Sequence, residues 1–208
     1  MPGWQDGWWS GARRVESPNF GPRPAGSQVS LVLLHSISLP PETFGGAYVE
    51  QFFTNRLDPA GHPYFETLAG VRVSAHFFVR RDGEVVQFVS AAARAWHAGL
   101  SAWQGRGNCN DYSIGIELEG CDRQPFAPQQ YLALWPLLDA ICEACPITAM
   151  AGHEHVAPGR KTDPGPHFDW RELARRFPAM ALPAQVTAGP NRDLSTGAKG
   201  TRLSGGSG

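Results

Sequence analysis

Apolar and polar positions along the chain predict strands alternating with helices. The nearly uninterrupted apolar run at residues 28–35 is typical of a buried strand with a polar residue, His35, at its tip. Residues 73–79 and 84–89 flank Arg81-Asp82-Gly83 and predict a β-hairpin. A short strand is also expected at residues 147–151.

The segment 112–119 alternates polar and apolar residues, so it predicts a strand with Glu117 and Glu119 on one face. Two glutamates in this arrangement most often lie on a solvent-exposed face of a strand. The pattern alone therefore leaves both glutamates open as structural or functional residues.

Helical periodicity is clearest at residues 128–145, where apolar residues recur every three or four positions. Pro136 lies inside this pattern, so it either kinks the helix or starts a second one. A final helix is predicted at 168–177 with Asp169 as its N-cap, and a short N-terminal helix at about 9–15.

Irregular segments separate these elements. Residues 100–111 predict a polar loop, and residues 36–72 form a long connection with a weak helical stretch at 47–53. Connections of that length are usually functional, so one hypothesis is that it forms a wall of a binding cleft and moves. The alternative is a static surface segment packed by its own aromatic residues, which are Phe44, Phe52, Phe53, Tyr64 and Phe65. From residue 183 onward small and polar residues dominate, which predicts one domain over 1–182 and a disordered tail over 183–208. The expected fold class is α/β (α+β), with a mixed central β-sheet flanked by helices.

Composition agrees with a soluble globular enzyme. The 208 residues suffice for one well-buried domain, with 42% hydrophobic and 18% charged residues and a formal net charge of −1. That charge gives no indication of nucleic-acid or anionic-membrane binding. No apolar stretch is long enough for a transmembrane helix, and the N-terminus lacks a signal-peptide pattern. We therefore expect a cytoplasmic protein.

Candidate chemistry is concentrated at residues 152–166, which contain two histidines, a lysine and an aspartate among proline and glycine residues. The proline and glycine residues disfavour a regular helix or strand, so a loop is expected. Loops of this kind often contain binding or catalytic residues. Imidazole and carboxylate groups are typical Zn2+ ligands. His153 and His155 are alternative ligands, and Asp163 competes with His167. His35 could complete the site, or it could be a core histidine bonded to a backbone carbonyl.

The four cysteines are Cys109, Cys121, Cys142 and Cys145. Cys142 and Cys145 have the spacing of a redox or zinc motif. They lie within the predicted long helix, and the chain has no second pair of this spacing, so we interpret them as unreactive helical cysteines.

Ordered motifs from about residue 8 to residue 177 resemble the AmpD enzymes, the cytoplasmic 1,6-anhydro-N-acetylmuramyl-L-alanine amidases of peptidoglycan recycling. This family belongs to a wider zinc amidase group that includes phage T7 lysozyme and the peptidoglycan recognition proteins, which share one fold. The motifs are LLHSISLPP (33–41), RVSAH (72–76), RRDGE (80–84), RAWHAG (94–99), CND (109–111), SIGIELEG (113–120) and GHEHVAPGRKTDPGP (152–166).

The resemblance implies one Zn2+ per chain, held by His35, His153 and Asp163. It also implies Glu117 as the catalytic glutamate and Lys161 as a second catalytic residue. Zinc lowers the pKa of water, Glu117 would take and return a proton, and Lys161 would stabilise the oxyanion. The bond cleaved would be the amide between (1,6-anhydro-)N-acetylmuramic acid and L-alanine of the stem peptide.

Substrate contacts follow less directly from the sequence. His76, Trp96 and His97 are predicted to line the cleft, although aromatic residues near strand ends are often core. Arg72 and Arg106 could bind stem-peptide carboxylates. Ser36 and Asn108 stand where related enzymes often have asparagine and arginine, and both departures concern substrate contacts rather than the zinc site.

The expected partner is a small muropeptide, with no nucleic acid, no membrane and a monomeric state. Two alternatives remain at this point. One is a non-catalytic peptidoglycan-binding module of the same fold, and the other is an amidase that acts on intact murein.

Overall fold

A computed structural model of the protein describes residues 2–184, and a six-stranded mixed sheet forms its centre. The strands are β1 (Trp4–Gln5), β2 (Trp8–Trp9), β3 (Arg13–Arg14), β4 (Phe20–Gly21), β5 (Leu31–Ile37), β6 (Phe77–Val79), β7 (Val85–Gln87), β8 (Arg94–Ala95), β9 (Ala102–Trp103), β10 (Arg106–Gly107), β11 (Ser113–Glu119) and β12 (Ala149–Gly152). The helices are α1 (Tyr48–Phe53), α2 (Pro63–Glu66), α3 (Pro128–Ala144), α4 (His153–Val156) and α5 (Trp170–Arg176), with 3-10 turns at Pro59–Gly61 and Cys109–Asp111.

The central sheet has the strand order β12-β5-β11-β6-β7-β3. Strands β12, β5, β11 and β6 run parallel to one another, whereas β6 and β7 form the predicted antiparallel hairpin. The register between β5 and β11 places His35 directly beside Glu117. Two residues that are 82 positions apart thus become neighbours on one face of the sheet.

The two faces of the sheet have different roles. On one face, Val32, Leu34 and Ile116 pack against α3 and α5 in a fully buried apolar cluster. The opposite face carries His35 and Glu117, because side chains alternate along each strand. Loops rather than a long helix cover part of that second face, which leaves room for a site. The mixed sheet with flanking helices confirms the predicted architecture.

Three local predictions are wrong. Residues 9–15 are not helical: Trp9 ends β2 and β3 pairs with β7 at the sheet edge, so tertiary pairing overrides local helical preference. His35 is not at the tip of its strand, since pairing with β11 continues through Ile37. Part of the segment 152–166 is helical: His153–Val156 form one turn, because Pro158, the first proline of the segment, follows only after that turn.

Helix α3 is continuous through Pro136, so no second helix begins there. Pro136 lies on the exposed face, where water can satisfy the carbonyl group that loses its helical partner. The side chain of Asp169 accepts a hydrogen bond from the Glu172 amide at 2.9 Å, which confirms the predicted N-cap of α5. The predicted loop at 100–111 contains the small β9–β10 ladder and a 3-10 turn.

The long connection contains α1, a 3-10 turn and α2, and its aromatic residues Phe52, Phe53 and Phe65 are buried against Phe78 and Phe88. It is therefore packed onto the sheet.

Within residues 2–184, no helix is long and apolar enough to cross a membrane. Of the predicted tail over 183–208, residues 185–208 lie outside the described part of the chain.

Candidate metal centre and active site

Three potential metal ligands converge at the end of β5. His35 comes from β5, His153 from the first position of α4, and Asp163 from the loop after α4. The His35 Nδ1, His153 Nδ1 and Asp163 Oδ2 atoms lie 3.0 Å from one another in each pairing. Ligand atoms about 2.0–2.1 Å from a tetrahedral Zn2+ would be roughly 3.3 Å apart, so the cluster has a suitable size for that ion.

Hydrogen bonds behind the cluster determine which imidazole nitrogens carry protons. His153 Nε2 lies 3.0 Å from the carbonyl oxygen of Ala98, which can only accept, so Nε2 is the protonated nitrogen. The Ser113 hydroxyl donates to the Cys109 carbonyl at 2.6 Å and therefore accepts from His97 Nε2 at 3.4 Å. His97 Nδ1 is then free to accept from His35 Nε2 at 3.0 Å.

In its neutral form, each ligand histidine therefore has an unprotonated Nδ1 that faces Asp163. The two Nδ1 atoms and Asp163 Oδ2 then point their lone pairs at one another across 3.0 Å with no hydrogen between them. These three atoms repel one another unless a cation lies among them. The donor set of two imidazoles and one carboxylate fits Zn2+. These residues form a His-His-Asp group that could hold a metal ion.

The electrostatics of the cluster favour metal-binding protonation states. Burial lowers the pKa of His35 to about 4, so its imidazole is neutral near pH 7. Neutral imidazoles beside an ionised carboxylate are the forms that ligate a metal.

Glu117 lies beside His35 and is only 8% exposed. Its Oε2 atom is buried and has no hydrogen-bond partner within residues 2–184. Burial and the charge of Asp163 raise the pKa of Glu117 well above the ordinary value, whereas Lys161 acts in the opposite direction. A carboxylate without a partner at such a position is suited to accept and release a proton.

A cavity of about 630 Å³ opens over the cluster and is large enough for a small organic ligand. His153, Asp163, Glu117 and Lys161 contribute to its walls. The connection after β5 contributes much of the remaining lining, which includes Leu39, Pro41, Tyr64, Leu68 and Val71. The predicted cleft-wall position of this connection is therefore confirmed, while its movement stays a prediction.

A sequence profile described as N-acetylmuramoyl-L-alanine amidase matches residues 25–166. The 1,6-anhydro-N-acetylmuramyl-L-alanine amidase AmpD of Citrobacter freundii is 50% identical over 181 residues, which span 86% of this chain and 95% of that protein. This chain belongs to the N-acetylmuramoyl-L-alanine amidase family. The sequence resemblance to AmpD is thereby confirmed, and the protein is an amidase rather than a binding module.

Solved structures agree with this assignment. A crystal structure of a selenomethionine AmpD derivative matches with a TM-score of 0.80 and 49% identity, covering 83% of this amidase and 97% of that chain. A complex of the Escherichia coli amidase AmiD with the substrate anhydro-N-acetylmuramic acid-L-Ala-D-γ-Glu-L-Lys matches with a TM-score of 0.55 and 30% identity. That match covers 88% of this amidase and 68% of AmiD. The predicted fold class is confirmed.

The alternative ligands lie elsewhere in the amidase. His155 Nδ1 accepts a hydrogen bond from the Gly152 amide at 3.0 Å, and its ring packs edge-on against Trp170. His167 is exposed and is not part of the His-His-Asp group. Glu119 is 3% exposed and accepts hydrogen bonds from the amides of Gly45 and Arg81. These contacts give His155 and Glu119 structural roles.

The predicted substrate-binding residues fall into two groups. Trp96 and His97 line the cavity. His76 does not: it is fully buried and hydrogen-bonded to the Gly115 amide, so its predicted position in the cleft is wrong. Arg72 bonds only to the neighbouring Val71 carbonyl among the described residues, and Arg106 stacks on Tyr112 at 3.7 Å. Neither arginine lines the cavity, and their binding to peptide carboxylates stays a prediction.

Sequence patterns gave no indication of Arg23, which is half-buried and surrounded by backbone carbonyl groups. Its guanidinium donates to the carbonyls of Asn110, Asp111, Ala91 and Ser113. Arg23 lies in a segment without regular structure, so no periodicity marks it.

Cys142 and Cys145 are free thiols, and burial raises the pKa of both, which supports their interpretation as unreactive residues.

Proposed function

We propose that this amidase uses one Zn2+ to cleave the amide bond between 1,6-anhydro-N-acetylmuramic acid and L-alanine in small muropeptides. The names of its relatives support this substrate class, as does the ligand in the AmiD complex. The observation that carries the proposal is the His-His-Asp cluster beside the unpartnered carboxylate of Glu117. We further propose that it acts as a monomer in cytoplasmic peptidoglycan recycling.

In this proposal His35, His153 and Asp163 hold the zinc. The bound ion would supply Lewis acidity to water and to the scissile carbonyl group. The chain supplies the protonation states, because the Nδ1 atoms of both histidines are left free by the bonds to His97 and Ala98. Three protein ligands leave a fourth position open.

Glu117 acts as general base and then as general acid. Its buried Oε2 atom has no protein partner within residues 2–184, so it can accept the proton of an attacking water. Burial, which raises the pKa of Glu117, favours the protonated form that holds this proton until the amide bond breaks. The same group can then donate that proton to the departing amine of L-alanine.

Lys161 supplies a positive charge at the wall of the cavity. We expect Lys161→Ala to lower kcat by about 100- to 1000-fold, because removal of one oxyanion stabiliser typically costs that much. Zinc content, measured by elemental analysis, should stay unchanged. Arg123→Ala, at another basic residue of the wall that is highly exposed, is the control. An equal loss of kcat in both variants would contradict a specific role for Lys161.

Movement of the connection over residues 36–72 forms a separate prediction. The segment follows His35 directly and forms much of one cavity wall, so its closure over a ligand would change access to the cluster. We expect hydrogen exchange of residues 36–72 to slow when the released peptide product is bound. Exchange that is the same with and without product would contradict the movement.

Zinc dependence and substrate class can be tested together. Purified protein is incubated with anhydro-muramyl-tripeptide and, separately, with muramyl-tripeptide that has a reducing end, and products are identified by mass spectrometry. We expect release of the tripeptide, loss of activity after dialysis against a chelator, and recovery on addition of Zn2+. Full activity in protein shown by elemental analysis to be metal-free would overturn the proposal.

A further inference from the structure

Asn110 lies behind the His-His-Asp cluster and is 6% exposed. Its side-chain oxygen, Oδ1, accepts two backbone hydrogen bonds, from the His97 amide at 3.1 Å and from the Ala98 amide at 2.8 Å. One oxygen atom thus fixes two consecutive peptide groups.

These two residues are the hydrogen-bond partners of both ligand histidines. The Ala98 carbonyl belongs to the next peptide group along the chain and also accepts from Arg160 at 2.9 Å. His97 Nδ1 pairs with His35 Nε2, and the Ala98 carbonyl accepts from His153 Nε2, each at 3.0 Å. The orientation of both imidazole rings therefore depends on the 97–98 backbone. The His97 ring also packs directly on Gly115, where a Cβ atom would lie 2.4 Å from the His97 Cγ atom, so the ring has little freedom to compensate.

The position of Asn110 is itself tightly held. Arg23 donates to its carbonyl oxygen at 3.2 Å and to that of Asp111 at 3.1 Å. Arg94 forms an ion pair with the Asp111 carboxylate. The 3-10 turn at Cys109–Asp111 is thus a rigid support from which the Asn110 amide reaches the 97–98 backbone.

We propose that Asn110 is a positioning residue for the metal centre, which orients His35 through His97 and His153 through Ala98. This inference rests on the proposed zinc function. Outer hydrogen-bond partners fix the tautomer and orientation of metal-binding histidines, and their loss typically weakens metal affinity about 10- to 100-fold. Asn110 does not itself contact the substrate or the metal in this role.

The test compares zinc affinity, by competition with a chromogenic chelator, in three variants of the full chain. Asn110→Ala should weaken zinc binding by about 10- to 100-fold. Asn110→Asp keeps an accepting oxygen and should bind zinc within about threefold of the wild type, since the outer partners are retained. Ser101→Ala is the matched control, because Ser101 accepts from the Cys109 amide in the same loop without contacting residues 97–98.

A second measurement separates positioning from a general structural effect. Nitrogen-15 NMR of the zinc-free protein reports the tautomers of His35 and His153, and we expect Asn110→Ala to mix tautomers that are uniform in the wild type and in Ser101→Ala. If Asn110→Ala does not fold, Asn110→Ser, whose oxygen is withdrawn from both amides, is measured in the same way. Unchanged zinc affinity, or an equal loss in Ser101→Ala, would overturn the inference. Absence of zinc binding in the wild type would instead contradict the proposed function.

Discussion

Glu117→Gln should retain zinc and lose about 100- to 10,000-fold in kcat, the usual contribution of a general acid–base group. Glutamine preserves the size of the side chain but cannot accept a proton at neutral pH. Glu117 is not among the three cluster ligands, so metal content should not change. Steady-state kinetics with anhydro-muramyl-tripeptide and elemental analysis of the same preparation provide both measurements.

Glu119→Gln is the matched control, because Glu119 is two residues further along β11 and is also buried. Its two carboxylate oxygens accept from the amides of Gly45 and Arg81, at 2.5 and 3.0 Å. The substitution exchanges one acceptor for a donor, so it should lower the thermal midpoint and leave kcat nearly intact. A nearly normal Glu117→Gln enzyme beside an inactive Glu119→Gln enzyme would show that the wrong carboxylate had been chosen.

Asp163→Ala is expected to lose both zinc and activity, because it removes one of three ligands and the only negative charge among them. Metal-ion catalysis contributes several kcal/mol, and roughly 4 kcal/mol corresponds to about 1000-fold in rate. We therefore expect zinc content to fall far below one per chain, with at least that loss of activity. His35→Ala should behave in the same way.

His155→Ala is the control for the ligand variants, since His155 lies only two residues from His153 and its imidazole instead accepts from the Gly152 amide. It should keep one zinc per chain with reduced stability. Undiminished zinc in Asp163→Ala or His35→Ala, measured by elemental analysis after gel filtration, would refute the ligand assignment.

The sequence predicted the central elements because apolar and polar residue types there follow simple periods. In strand β11 this alternation placed Glu117 and Glu119 on one face, although all seven residues of the strand are buried. The pattern could not reveal that both glutamates are buried, because that depends on the loops that cover this face. The N-terminal strands were missed for a related reason, since β3 is stabilised by pairing with β7, more than 70 residues away in sequence.

Part of the site could also be predicted, because the resemblance named the histidines, the aspartate and the glutamate that the fold brings together. The hydrogen bonds behind the ligand histidines could not be predicted from the sequence. Asn110 acts through backbone amides of residues 97 and 98, and backbone contacts leave no pattern of residue types. His76 was predicted to line the cleft, but its ring faces Arg23 and the Gly115 amide in the interior, which is the core position that the sequence left open as the alternative.

Hydrolysis in water enriched in oxygen-18 tests the central claim most directly. The metal-loaded protein is incubated with anhydro-muramyl-tripeptide, and both products are weighed by mass spectrometry. An amidase that cleaves between the muramic acid and L-alanine places one oxygen-18 in the carboxylate of the anhydro-muramic acid and none in the released tripeptide. Label in the peptide, cleavage at another bond, or the same yield from Asp163→Ala protein would contradict the account.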